Sequence, residues 1–284
     1  YRYQASIGDP ASSGAVADTL APGEQRTIPN VISYLRTLGL PIPTAATAGS
    51  QGGVLLVKFD GAESEEAVAA TARTTTATAA PQPAGAAGLS YAGTPPLAAS
   101  ESVLIVYGLR DNANDRANVA AFNPGSTAVT VRMTAFSGDG TGYSAVVRDG
   151  LVLPAFGWTQ VSNVFSGTGI TNGWVAVQRT SSSGRFGAYG VINDNATNDG
   201  SFVLPTAGTV SGSKLTVPVL VETSAFRSEL VLANRGSSTA TLTLRYVERL
   251  TPALGSGGTV TAQLRPREQL IIPNAIEDLR RRGL

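Results

Sequence analysis

The chain has 284 residues, a formal net charge of +1 and a charged fraction of only 14%, which excludes a strong electrostatic drive toward nucleic acid or an anionic membrane. It has no cysteine and no histidine, which excludes disulfides, thiolate chemistry and histidine-dependent catalysis. No apolar run reaches the about eighteen residues that a membrane-spanning helix needs. We therefore expect a chain that is not an enzyme, has no nucleic-acid partner and has no membrane span.

Residues 1–96 predict the second half of a β-sandwich unit. Asn30 is expected to cap a helix near 30–39, where apolar residues recur at helical spacing. A compact apolar run at 53–58 predicts a strand. The Thr/Ala/Pro-rich stretch 71–88 predicts a loop, with a stalk for O-linked sugar as the alternative.

Residues 97–210 predict one complete unit. Short β-rich runs alternate with Gly, Pro and Asn turns, a pattern typical of an antiparallel β-sandwich. Asn163 is expected to cap a short helical turn within this unit. The predicted strands fall at 102–107, 117–122, 128–136, 149–154, 158–161, 173–179, 186–192 and 200–205.

Residues 211–284 predict the first half of another unit, which ends in a helix capped by Asn274. Here the chain repeats its own central segment with a fixed offset of 111 positions, and a fixed period indicates an array of one structural unit. The unit would therefore be about 110 residues long. The matched pairs are Arg116/Arg227, Asn123/Asn234, Gly125/Gly236 and Asn163/Asn274.

These residues also carry a family resemblance. The pattern Arg-x-x-apolar-x-apolar-x-Asn-x-Gly, the capping Asn, the Gly173-Trp174 strand and the run 191–199 resemble the tandem immunoglobulin-like repeats of large secreted proteins from Acidobacteria and related bacteria. The resemblance covers nearly the whole chain, but it rests on turn and core residues and brings no catalytic signature. It implies an all-β fold of tandem immunoglobulin-like sandwiches, each with one short helix, outside the cell or at its surface.

Two loops rich in Asn and Asp are candidates for a calcium site. Carboxylate oxygens at short spacing are the ligands that Ca²⁺ prefers, and no other cofactor is expected. Asn and Asp are also the common turn formers, so the sequence leaves a purely structural role open. The candidate ligands are Asp111, Asp115, Asp194 and Asp199.

Trp158 is the candidate for ligand binding, because a flat aromatic ring can stack on a sugar. Its counterparts in the flanking segments are Gln25 and Gln269, and these polar residues predict an exposed position. Trp174 has Val54 as its counterpart, which predicts a packing role instead.

The leading hypothesis is a non-enzymatic extracellular structural protein made of tandem sandwiches. Half-units would expose strand edges and apolar faces. Successive copies could complete each other and assemble head to tail into a filament or surface array, so the expected partner is the chain itself. The alternative is a carbohydrate-binding or adhesin module of a secreted bacterial protein, with glycans as partners.

Overall fold

A computed structural model describes residues 1–44, 49–64, 68–78, 84–93, 102–208, 214–247 and 257–284. Strands dominate these residues and every strand pairing among them is antiparallel, which confirms the all-β prediction. The description below uses an N-terminal unit (residues 1–93), a central unit (102–208) and a C-terminal unit (214–284). No helix within the described ranges is long and apolar enough to cross a membrane.

The N-terminal unit combines a small sheet, a helix and a hairpin. The Asn30 side chain accepts a hydrogen bond from the Ser33 backbone N–H at 3.0 Å, which confirms its predicted role as helix cap. Tyr3 and Leu35 are buried between sheet and helix. The elements are β1 (Arg2–Ile7), β2 (Ser13–Ala15), α1 (Val31–Thr37), β3 (Gly52–Leu56), β4 (Thr71–Ala77) and β5 (Ala86–Ala92); β2-β1-β3 form one sheet and β4-β5 the hairpin.

The prediction of a loop at 71–88 is wrong for most of the residues described in that stretch. Thr71–Ala77 is strand β4, and it pairs with β5 from Thr71 opposite Ala92 to Ala77 opposite Ala86. Threonine is β-branched and favours extended backbone, so a Thr-rich stretch suits a strand as well as a loop. Residues 79–83 lie outside the described part of the chain.

The central unit consists of two sheets that share one core. Residues of both sheets, including Val119 and Val177, are fully buried in it. The strand orders are β10-β7-β12-β13 and β14-β6-β11-β8-β9. The strands are β6 (Val103–Arg110), β7 (Asp115–Phe122), β8 (Val129–Ser137), β9 (Ser144–Leu153), β10 (Trp158–Val161), β11 (Asn172–Arg179), β12 (Gly187–Asp194), β13 (Gly200–Val203) and β14 (Thr206–Ala207).

The helical turn predicted after Asn163 is absent from the described central unit. Asn163 has a φ of 47°, outside the range of a helix cap, and its Oδ1 accepts no hydrogen bond from the described residues. The chain continues as irregular turns through Gly167 and Gly169, both at positive φ. Glycine weakens helices, and these two glycines replace the helix-forming residues of the flanking segments.

The C-terminal unit has two strand pairs and a helix. The Asn274 side chain accepts from the Glu277 backbone N–H at 3.3 Å, as predicted for a cap. The elements are β15 (Leu230–Asn234), β16 (Ala240–Val247), β17 (Gly257–Leu264), β18 (Glu268–Ile272) and α2 (Ala275–Arg281), with β15 paired to β18 and β16 to β17.

The C-terminal unit and the central unit share local geometry at the 111-position offset. Trp158 lies opposite Phe122 in the β10–β7 pair, and Gln269 lies opposite Ala233 in the β18–β15 pair. The side chain of Asn123 donates to Thr127 O at 2.8 Å, Pro154 O at 2.9 Å and Leu153 O at 3.2 Å. Asn234 makes the same three bonds at the same three lengths, to Ser238, Arg265 and Leu264.

Candidate functional site

The two Asn/Asp loops lie side by side, because Asp194 faces Asp115 in the β12–β7 pair. Their side chains bind other protein groups. Asp194 Oδ1 accepts from the backbone N–H groups of Ala196 and Thr197 at 2.9 and 2.7 Å, and from the Thr197 hydroxyl at 2.9 Å. These hydrogen bonds, from Thr197 above all, lower the pKa of Asp194.

The other three predicted calcium ligands make separate contacts. Asp115 lies 3.1 Å from the Arg110 guanidinium, Asp199 accepts from the Gly88 N–H at 3.0 Å, and the backbone N–H of Asp111 donates to Thr171 O. Among the described residues, no three carboxylates converge as a metal site would require. Calcium binding stays a prediction, and the hydrogen bonds here are those of turn formation.

Trp158 lies in the contact between the N-terminal and central units, which we call seam 1. It is half-buried, its indole N–H donates to the Tyr189 hydroxyl at 2.9 Å, and its backbone N–H donates to Ser6 Oγ at 2.9 Å. Next to it, the Arg2 guanidinium lies 4.1 Å above the ring of Phe156. These two hydrogen bonds fix the position of Trp158 at the contact, and sugar binding by its ring stays a prediction.

An aromatic cluster extends seam 1 along the hairpin. Tyr91 of β5 contacts Tyr189 and Phe202 edge to face, with ring centroids 5.7 and 5.4 Å apart. Burial raises the pKa of Tyr189 well above its ordinary value. The cluster therefore joins the two units through apolar surface as well as hydrogen bonds.

Gln269 is the central residue of the contact between the central and C-terminal units, which we call seam 2. Its polarity suggested an exposed position, but it is only 3% exposed. Its Oε1 accepts from the Gly108 N–H at 2.8 Å, and its Nε2 donates to Asn172 Oδ1 at 2.7 Å and Gly173 O at 2.9 Å. The sequence did not predict this role, because the residues next to Gln269 in sequence do not show which distant surface its side chain will contact.

The two seams use equivalent positions. Trp158 and Gln269 are 111 positions apart. Two residues before each of them, Phe156 and Arg267 have φ of 56° and 59°. Non-glycine residues adopt this left-handed conformation rarely. The backbone N–H of Gln269 donates to Gly138 O at 2.9 Å, much as that of Trp158 donates to Ser6.

The surfaces that receive these strands are equivalent as well. Gly53 pairs with Ala5 in the N-terminal unit, and Gly173 pairs with Ser137 in the central unit. Ser6 follows Ala5 and Gly138 follows Ser137, so the two acceptor residues occupy equivalent positions. A Cβ on Gly53 would lie 2.0 Å from Gln4 O, and one on Gly173 would lie 1.9 Å from Phe136 O. Only glycine fits either site.

A cavity of about 430 Å³ opens beside seam 2. Trp174 lines it and is 1% exposed, stacked against Phe136 at 6.0 Å, which agrees with the packing role predicted for this tryptophan. The Trp174 indole N–H has no hydrogen-bond acceptor among the described residues. Half-exposed Tyr143 and Arg267 line the same cavity, so it offers aromatic surface together with hydrogen-bond donors.

The C-terminal unit leaves its strand edges unpaired within the described chain. β8 is flanked by β11 and β9, whereas β16, its equivalent, pairs with β17 alone. Val131 and Met133 are fully buried in the central core, but their counterparts Leu242 and Leu244 are only partly buried. The apolar face of this unit is therefore incompletely covered.

Comparisons with protein-family models, curated proteins and solved structures found no match. The architecture and the seams above are therefore the basis for a functional conclusion.

Proposed function

We propose that this chain is a non-enzymatic extracellular structural protein, in which tandem immunoglobulin-like β-sandwich units stack through a repeated seam into a filament or surface array. One observation carries the proposal: the docking residues of the two seams, Trp158 and Gln269, recur at the same 111-position offset as the units. Phe156 and Arg267 share a rare backbone conformation, and the strands that follow them dock on equivalent residues.

A repeated contact favours an array for a geometric reason. When each unit meets its neighbour in the same way, one rotation and one translation relate every successive pair, and further units extend the series.

Electron microscopy of the protein, released from its source cells without denaturant, tests the assembly. We expect filaments or sheets with a regular subunit repeat, and we expect antibodies against the chain to label intact cells. Single particles under all native conditions, or labelling only after the cells are opened, would contradict the proposal.

A seam variant sharpens this test. Gly138→Val places a side chain where a Cβ would lie 2.7 Å from the Gln269 Cβ and 3.2 Å from its backbone nitrogen. We expect it to separate the units, to increase the radius of gyration in X-ray scattering and to abolish regular assembly. Ser201→Val, at an exposed strand position, is the matched control and should leave both unchanged.

The second candidate is a carbohydrate-binding or adhesin module, favoured by the cavity beside seam 2. Tyr143 is half exposed there, and aromatic rings are the usual platform for sugars. Retention on a glycan array tests it: Tyr143→Ala should abolish retention if the cavity is the site, and Trp158→Ala should do so if seam 1 is. Retention of the same glycans by both variants would exclude both sites.

A further inference from the structure

The dipeptide Asn172-Gly173 lies in seam 2, and it is the only place in the sequence where glycine follows asparagine. The Asn172 amide is bonded at both of its polar atoms. Its Nδ2 donates to Gln269 O at 2.8 Å, and its Oδ1 accepts from Gln269 Nε2 at 2.7 Å. One side chain of the central unit therefore makes two hydrogen bonds across the seam.

Two separate structural demands place these residues next to each other. Position 173 requires glycine, because a Cβ there would lie 1.9 Å from a backbone oxygen of β8. Asn172 supplies both a donor and an acceptor to Gln269, which a side-chain amide does and a hydrocarbon does not. At seam 1 the counterparts, 120 positions earlier, are Gly52 and Gly53, so that seam has no side-chain amide at this position.

This dipeptide has a chemistry of its own. Asparagine before glycine is prone to spontaneous deamidation, because a residue without a side chain leaves its backbone nitrogen open to reaction. The Gly173 nitrogen attacks Asn172 Cγ and closes a cyclic imide. The Cγ–Nδ2 bond breaks, and the amide group leaves as ammonia with the proton of the Gly173 N–H. Water, the only co-reactant, then opens the imide to aspartate or isoaspartate.

We propose that Asn172 is a deamidation site that controls seam 2. The closed seam protects the side chain from reaction, and its conversion to aspartate or isoaspartate loosens the C-terminal unit from the central unit irreversibly. The proposal concerns a contact within one chain, so it goes beyond the proposed assembly and does not depend on it.

The closed seam restrains both reacting groups. The two bonds to Gln269 fix the rotation of the Asn172 side chain. Gly173 is buried, and its backbone is paired with Leu109 on one side and Ser137 on the other. Asn172 is the first residue of β11, and the ends of elements open more readily than their centres. Loss of the Gln269 bonds therefore frees the group that reacts.

Neither product can replace the amide. In aspartate an oxygen takes the place of Nδ2, so it faces Gln269 O at hydrogen-bond distance without a proton to share. In isoaspartate the main chain gains an atom, which moves Gly173 out of register with its partners on β6 and β8. Each product leaves a backbone oxygen in the seam without its donor, and unsatisfied partners of this kind are costly.

The facing cation does not compensate for the new charge. Arg110 lies opposite Asn172 in the β11–β6 pair, and its guanidinium already pairs with Asp115 at 3.1 Å and Glu229 at 2.6 Å. Glu229 belongs to the C-terminal unit, so this ion pair is itself a tie across seam 2. If Arg110 keeps these partners, the new carboxylate is not neutralised. If Arg110 turns toward it, the tie to Glu229 is lost, and both routes weaken the seam.

Deamidation kinetics of the full-length chain test the proposal. The native chain and Gln269→Leu are incubated in mildly alkaline buffer, and peptide mapping by mass spectrometry quantifies aspartate and isoaspartate at every asparagine. We expect Asn172 to react faster than any other asparagine in Gln269→Leu, and several-fold more slowly in the native chain. Hydrogen exchange at Gly108 shows independently that the substitution has opened seam 2. Ser201→Val, at an exposed strand position, is the control and should react at the native rate.

A second measurement follows the consequence for the seam. Ion-exchange chromatography separates the deamidated fraction of the native chain, because each deamidation adds a negative charge. Hydrogen exchange at Gly108, which donates to Gln269, should be about tenfold or more faster in that fraction, the factor expected when one buried hydrogen bond is lost. Exchange at Trp158 in seam 1 should not change. Asn172→Asp should reproduce the effect, and Gln178→Glu, which adds the same charge at an exposed position of β11, should not.

The outcomes separate the two proposals. Protection of Asn172 in the native chain, fast reaction in Gln269→Leu and faster exchange at Gly108 after deamidation support the proposal. Equal rates in the two chains, or an intact Asn172 after seam 2 has opened, overturn it. Unchanged exchange at Gly108 in both the deamidated fraction and Asn172→Asp also overturns it, since the modification would then not control the seam. Filament formation is measured separately by microscopy, so failure of either proposal is distinguishable from failure of the other.

Discussion

Replacing Asn123 by alanine should destabilise the central unit far more than the same change at Asn234 destabilises its own. The two side chains make the same three donor contacts, and each accepts one backbone N–H, from Gly125 at 2.9 Å or Gly236 at 3.0 Å. They differ in burial: Asn123 is 0% exposed, and Asn234 is partly exposed. The hydrogen bonds of Asn123 are buried or partly buried, whereas those of Asn234 are mostly exposed, so the partners of Asn234 reach water more easily once the side chain is removed.

The magnitude follows from this difference. An amide has two N–H donors, so the three donor contacts amount to about two full bonds, and the accepted bond brings the total to about three. Buried partners left unsatisfied cost about 1–3 kcal/mol each. Most of the Asn123 bonds are partly buried, so the lower figure applies and gives about 3 kcal/mol for Asn123→Ala. Partners near water recover most of this loss, so we expect about 1 kcal/mol for Asn234→Ala.

Urea unfolding followed by tryptophan fluorescence measures the first value directly, because both tryptophans, Trp158 and Trp174, lie in the central unit. Asn123→Ala should lower the free energy of that transition, and Asn234→Ala should shift it by less than about 1 kcal/mol. The loss for Asn234→Ala in its own unit is read from faster hydrogen exchange in the β15–β18 strand pair, which does not use the Asn234 side chain. Equal shifts of the fluorescence transition in the two variants would refute the argument from burial.

Three further predictions concern seam 2, the glycine sites and the Asn/Asp loops. Gln269→Leu should weaken seam 2 by about 2–4 kcal/mol, because buried backbone partners lose their bonds, and hydrogen exchange at Gly108 should rise while seam 1 stays protected. Gly173→Ala should cost at least about 2–3 kcal/mol in the urea transition, since its Cβ would overlap a facing carbonyl; an unchanged midpoint would contradict that geometry. Hydrogen bonds lower the pKa of Asp194 in the folded chain. The stability that these bonds give the folded loop is therefore present at pH values above the unfolded pKa of about 3.9, and it is lost as the pH falls through the folded pKa. Amide exchange at Thr197, measured at constant intrinsic rate, should therefore accelerate in acid, and Asp194→Asn should remove that dependence.

The strands were predictable where period-two alternation or a compact apolar run was strong. β8 was expected at 128–136 and spans Val129–Ser137, and both helix caps, Asn30 and Asn274, were identified correctly. These features depend on neighbours in sequence, so local chemistry is enough to specify them. β9 begins earlier than the predicted 149–154, at Ser144, because its outer residues are exposed and give a weaker apolar signal.

The seams were not predictable, because they depend on surfaces brought together only by folding. Gln269 is polar in sequence and buried in structure, since its amide finds partners on β6 and β11. Trp158 was expected to be exposed, but it is half-buried against the N-terminal unit. In both cases the deciding neighbour lies more than about a hundred positions away, where no local pattern reaches.

Seam 2 has a consequence for the order in which such a chain folds during synthesis. The C-terminal unit docks on the central unit through β18 and the turn before it, and the residues that receive them, such as Gly138, come earlier in the chain. A polypeptide emerging from its N-terminus can therefore anchor each new unit on one that has already been made. Each finished unit then acts as a template for the next, which limits mispairing between neighbours of similar sequence.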